Sequence, residues 1–242
     1  MLTTFGRLLA AGALAIGLAA CSPSGPVPGN EAKTGEWVKS ELLKVESQGA
    51  TGEVFAALRT KEPEIYAALV ESATKAAASG GSPFEAGAAI RPAYLARFME
   101  LQKTAVDQDV NDMLALSGEQ MQAMLAIDPQ LCVTVVNGQS DPRLMQLPVE
   151  MREREMSIMA RVLRAGPQSA PAATPEELDA WILKFATENP ASMEGLALMG
   201  NPAPSNEEAT QICKANEALS RALAREEPAI SARLFRAILQ QG

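Results

Sequence analysis

The chain contains no histidine. In 242 residues that gap removes whole classes of chemistry. No Ser-His-Asp or Cys-His constellation can be assembled, and zinc sites built on imidazole are excluded. Any catalysis would rest on carboxylate, lysine or tyrosine side chains. Positive charge is short as well. The 21 Lys and Arg against 29 Asp and Glu leave a net charge of −8, without the basic footprint that nucleic acid or anionic headgroups require. Nucleic acid is therefore not an expected partner. Period-two alternation is nearly missing, which argues against a sheet. Cysteine is scarce, with only Cys21, Cys132 and Cys213.

What is present begins at the N-terminus. Met1 to Arg7 is a short basic opening, and Leu8 to Ala20 is an uncharged apolar run. The run falls short of the ~20 apolar residues that span a bilayer core, so it reads as an export signal and not as a membrane helix. Its end, Leu18-Ala19-Ala20-Cys21, resembles the lipobox of bacterial type II signal peptides. The resemblance implies cleavage before Cys21, a diacylglycerol on its thiol and acylation of the new amine. Several acyl chains anchor stably, since each buried methylene contributes about 0.8 kcal/mol and one chain is marginal. Ser22 follows the cysteine where the family's inner-membrane retention signal has aspartate, so outer-membrane sorting facing the periplasm is expected.

Residues 22–30 hold Pro23, Gly25, Pro26, Pro28 and Gly29 and no apolar period, and so read as an extended tether reaching roughly 28 Å. The expected organisation is a signal peptide over 1–20, a lipidated tether over 21–30 and one helical domain over 31–242. The proline-rich and small-residue stretch 166–173 is the one internal boundary on offer. The fold expected is an all-α, irregular bundle of about eight to ten helices tied by one disulfide. Cys132 and Cys213 are the pair left once Cys21 is modified, and an oxidising compartment favours their bridge.

Helical periods fill the mature chain. They predict helices over about 31–48, 51–60 and from Pro63 to the Gly80-Gly81 break. A segment from Pro83, bent at Pro92, follows, with Tyr94, Leu95, Phe98 and Leu101 at helical spacing. Helices over about 106–116, 118–127 and 149–165 come next, with a short one opened by Asp128-Pro129 as N-cap and first residue. Thr174-Pro175-Glu176-Glu177 and Ser205-Asn206-Glu207-Glu208 are capping boxes. Between them lies a short helix near 191–199. Pro228 opens the last helix, with Ile230, Leu234, Ala237 and Ile238 as its stripe.

Four local patterns carry chemical suggestions. Ser72-x-x-Lys75 and Lys33-Thr34-Gly35 match short motifs of penicillin-binding proteins, but in the reverse chain order. Ile65 to Ser72, with Glu71 before the serine, is similar to the Glu-Ser helix of lytic transglycosylases. That resemblance implies Glu71 as general acid and base on peptidoglycan, a role needing a raised carboxyl pKa. Gly87-Ala88-Ala89-Ile90 stands where that family has Gly-Leu-Met-Gln. Met121/Met124 and Met156/Met159 are spaced to hold a soft cation but equally to fill a core, and the core reading is adopted. Arg152 falls on an apolar stripe and reads as a snorkelling edge residue. No cofactor or metal is expected. The function expected is a non-enzymatic scaffold or binding lipoprotein of the cell envelope. Its membrane contact is the lipid at Cys21, and its candidate partners are envelope proteins or peptidoglycan. The alternative is a peptidoglycan-cleaving enzyme using Glu71.

Overall fold

The computed structural model describes residues 31–80, 93–94, 96–139, 141–201 and 203–240. The export signal, Cys21, the tether, the segment from Pro83 to Pro92 and Leu95 lie outside the described residues. Among those described there is helix and no strand, as the near-absence of period-two segments requires. In chain order the helices are α1 (Glu31–Val45), α2 (Gly49–Lys61), α3 (Pro63–Ala78), α4 (Asp107–Ile127), α5 (Pro129–Val136), a 3-10 helix (Pro142–Gln146), α6 (Val149–Ala165), α7 (Pro175–Glu188), α8 (Pro190–Ala197), α9 (Asn206–Ala224) and α10 (Pro228–Gln240). Residues 96–103 are helical as well.

Proline and the capping residues set most of the starts. Asp128 accepts from the Gln130 amide at 2.9 Å, with Pro129 at the first helical position where no amide is needed. In both capping boxes each side chain meets the other residue's amide: Thr174 with Glu177, and Ser205 with Glu208. The amide bond holds the Glu177 and Glu208 carboxyls below the usual carboxylate range. Gly166, at φ 64, ends α6 in a conformation that side-chain-bearing residues rarely adopt.

The spine is α4 against α9, with α5, α6 and α10 also packed on α4. Two helices were expected where α4 stands, with a break near Ser117-Gly118; the chain is continuous there for 21 residues. The glycine marks a crossing and not a stop. A Cβ at Gly118 would lie 2.8 Å from Arg221 Cγ, so the missing side chain lets α9 approach, and Ser117 meets Ser220 at 3.5 Å beside it. The sequence signal for a helix stop and for a close approach is the same residue. Gly195 acts alike in α8, where a Cβ would sit 2.4 Å from the Gln211 carbonyl of α9.

The core is continuous from Val38 to Leu239 and includes all four paired methionines, Met121, Met124, Met156 and Met159, each no more than 3% exposed. Their thioethers fill the interior, as a helix face at that spacing does. Cys132 of α5 and Cys213 of α9 are bridged, with Cα atoms 5.7 Å apart and 81 positions between them. Across the 166–173 stretch, Gln168 donates its amide to the Thr104 carbonyl at 3.0 Å and Ala173 to the Arg233 carbonyl at 2.9 Å.

The last helix buries Leu234, Ala237 and Ile238 of its expected stripe and departs from it at Ile230. Ile230 is 42% exposed, whereas Arg236, not assigned to the buried face, is 1% exposed. Its guanidinium donates to Asp107 Oδ1 and the Ala105 carbonyl at 2.6 Å each, and to the Pro171 carbonyl at 3.3 Å. A buried arginine needs acceptors for its donors, and here the Asp107 carboxylate and two carbonyls meet both terminal nitrogens while Nε is left without a partner among the described residues.

Candidate functional site

Glu71, the carboxylate nominated from sequence, lies on the exposed side of α3 and accepts from Lys75 Nζ at 2.6 Å. The Lys75 ammonium holds its carboxyl below the usual range. A glycosidase acid needs the opposite shift, produced by burial or by a neighbouring negative charge. The Lys75 of the Ser72-x-x-Lys75 match is thus engaged with Glu71. Lys33-Thr34-Gly35 lies in α1, with Gly35 facing Thr74 of α3, so this match has helical backbone where the penicillin-binding family has a strand. Arg152 is half-buried on α6 with Nη1 3.8 Å from the Met145 sulfur.

A cleft of about 360 Å³ opens elsewhere, between α7 and α9. It exists because α7 is carried by α8 and α10 and does not pack along α9. The capping box fixes where α7 starts, and the Gly195 contact seats α8 on α9 at its far end. One wall is aromatic: Trp181 and Phe185, four residues apart on α7, stack with centroids 5.6 Å apart and ring planes 10° off parallel. The indole Nε1 donates to Glu226 at 3.0 Å, which fixes the ring, and Lys184 reaches the same carboxylate at 3.7 Å. The floor is Ala218 and Ala222 of α9.

Charged groups rim this cleft, and their internal accounts differ. Arg221 is used up, donating to Glu217 at 2.9 Å and to Gln122 at 2.8 Å. Glu217 and Glu226 are met by those same contacts. The side chains of Lys214 and Arg225, both exposed, make no hydrogen bond or ion pair among the described residues, and neither does that of Glu188 at the end of α7. Glu188 also stands where a helix C-terminus disfavours a carboxylate. The volume falls in the range of small-ligand and peptide sites, and no catalytic set converges within it.

On sequence, Leu178, Trp181, Ile182 and Phe185 at i, i+3, i+4 and i+7 read as one buried stripe, and nothing in that stripe singles out the α9 side. A signal was there. Lys214, Ala218, Arg221, Ala222 and Arg225 repeat at i, i+4, i+7, i+8 and i+11, opposite the buried Ile212, Leu219 and Leu223. Cations interleaved with alanines on the face turned from the core mark a candidate surface.

Compared with protein-family models, with curated proteins and with solved structures, the chain matches none.

Proposed function

We propose that this chain is an outer-membrane-type lipoprotein of the bacterial cell envelope, anchored through Cys21, whose folded part binds or scaffolds and does not catalyse. The carrying observation is the cysteine account. Of three cysteines, Cys132 and Cys213 form a disulfide of the kind that persists in oxidising compartments. The third, Cys21, closes a lipobox-like sequence behind an apolar run. Among the described residues no helix is long and apolar enough to cross a membrane, so attachment in this reading rests on the acylated cysteine. Envelope proteins or peptidoglycan are the partners within reach of a tether of residues 22–30.

The enzymatic alternative has little to draw on, since Glu71 is exposed and ion-paired. One experiment in a bacterial host addresses both. Cys21→Ser should abolish radioactive palmitate incorporation and release the protein from the outer-membrane fraction, and Glu71→Ala should leave peptidoglycan release unchanged from the parent. Labelling that survives Cys21→Ser would overturn the anchor, and glycan release that is lost with Glu71→Ala would overturn the non-catalytic reading.

A further inference from the structure

We infer that the α7/α9 cleft is a docking site for a short, extended acidic peptide segment of a partner protein. The argument starts from which charges are left over. Once internal pairs are set aside, the rim presents two cations, Lys214 and Arg225, and one anion, Glu188, in a chain whose net charge is −8. A local excess of unpaired cations on an acidic protein draws a discrete anionic partner by charge complementarity.

Spacing narrows the chemistry. Lys214 and Arg225 are eleven residues apart on one face of α9, so about 16 Å separates them along its axis. That exceeds the reach of a single carboxylate or phosphate, and the surface between them is Ala218 and Ala222, with Arg221 engaged by Glu217 and Gln122, facing the Trp181–Phe185 wall. The occupant must therefore carry two acidic groups with apolar matter between. An extended peptide advances ~3.3 Å per residue with side chains alternating, so acidic residues at its first and fifth positions lie on one face about 13 Å apart. The long lysine and arginine stems close the remainder. An apolar residue at the third position points the same way, toward Trp181 and the alanine floor. A continuous polyanion such as nucleic acid does not suit the site, because Glu188, Glu217 and Glu226 line it as well.

Glu188 gives the inference its sharpest edge. Its carboxylate has no partner among the described residues, so it repels an acidic ligand and would attract a basic one. Removing its charge must shift affinity in opposite directions for the two ligand classes.

The test uses the full chain in detergent micelles with Trp37→Phe, which leaves Trp181 as the only tryptophan. The probe is a capped pentapeptide with glutamate at both ends, leucine at the centre and serine between. Its addition should shift Trp181 emission saturably, and the version with glutamine in place of glutamate should not. Lys214→Glu and Arg225→Glu should each weaken binding about tenfold, equivalent to about 1.4 kcal/mol. Lys214→Gln and Arg225→Gln should each cost about threefold, and these keep the test decisive should a reversal disturb folding by circular dichroism. Glu188→Gln should tighten binding about twofold, and raised salt should weaken it. The inference fails if the acidic peptide produces no saturable shift, if the neutralised cations bind it as the parent does, or if Glu188→Gln weakens binding. It fails also if an uncharged oligosaccharide moves Trp181 emission where the acidic peptide does not.

Discussion

The spine of α4, α5, α9 and α10 and the N-terminal group α1–α3 are both helical, yet they are held by different physics. The spine is joined by a disulfide, by a buried arginine and by a crossing where Gly118 and the serines let two helices approach. The N-terminal group packs on itself and docks through α2 on α6. Beyond apolar contact its fastenings include ion pairs whose guanidinium ends stand in water: Arg59 with Glu46, Arg97 with Glu62, and Arg164 of α6 with Glu53 of α2. Buried, geometrically exacting contacts resist loosening far better than solvated charge pairs do. The difference places the cleft on the firmly held side, since its α9 wall is part of the spine. The N-terminal group holds Trp37 in α1, and Trp181 of α7 stands against the spine, facing α9 and bonded to Glu226, so each region can be followed separately after Trp181→Phe or Trp37→Phe.

The largest effect belongs to the crosslink. Replacing Cys132 and Cys213 together by alanine removes a loop constraint of 81 positions, which chain-entropy reasoning values at roughly 4 kcal/mol, an upper figure that residual unfolded structure reduces. Urea unfolding followed at Trp181 should show a loss of that order, a large share of a typical ~5–15 kcal/mol. A loss under about 1 kcal/mol would mean that the spine's packing is sufficient without it, and the contrast between regions would narrow.

Next comes Arg236→Met. The methionine fills the volume but leaves the Ala105 and Pro171 carbonyls without their donor, while Asp107, 43% exposed, is rehydrated. The buried Ala105 carbonyl, once abandoned, costs about 1–3 kcal/mol and the carbonyl of the exposed Pro171 much less, so a loss of about 2 kcal/mol is expected. It should appear in the Trp181 transition first. A neutral result would show that the 166–173 stretch is held by its backbone contacts alone.

These features differ in how far sequence could reveal them. The all-helical class, the capping boxes, the Asp128-Pro129 start and the cysteine pair were legible, because each depends on local chemistry or on a short list of candidates. The continuity of α4 was not, since Gly118 is read as a stop until the residue facing it is known. Arg236 escaped for a related reason. Burial of a charge is decided by acceptors at positions 105, 107 and 171, which no periodicity links to α10. The cleft's aromatic wall was visible only as an apolar stripe, because a stripe pattern does not say whether a second helix lies against it or stands off. Here α8 holds α7 away from α9, and the stand-off makes the site.

The smallest effect tests the other half of the comparison. Arg59 meets Glu46 through two nitrogens at 2.9–3.1 Å, and Tyr66 donates to the same carboxylate at 3.3 Å. Burial of the tyrosine, with Glu46 beside it, pushes its hydroxyl up to about 12, so it remains a donor across the neutral and moderately alkaline range. Arg59 is 46% exposed and Glu46 only 9%, so water competes for the guanidinium more than for the carboxylate. A double-mutant cycle with Arg59→Gln and Glu46→Gln should therefore give a coupling below about 1 kcal/mol. It should fall further in molar salt, where the Debye length shrinks to ~3 Å. The loss should register at Trp37 and leave the Trp181 transition in place. A coupling above about 2 kcal/mol that is indifferent to salt would show that Glu46 works as a buried anchor, and that the N-terminal group is fastened by the same kind of contact as the spine.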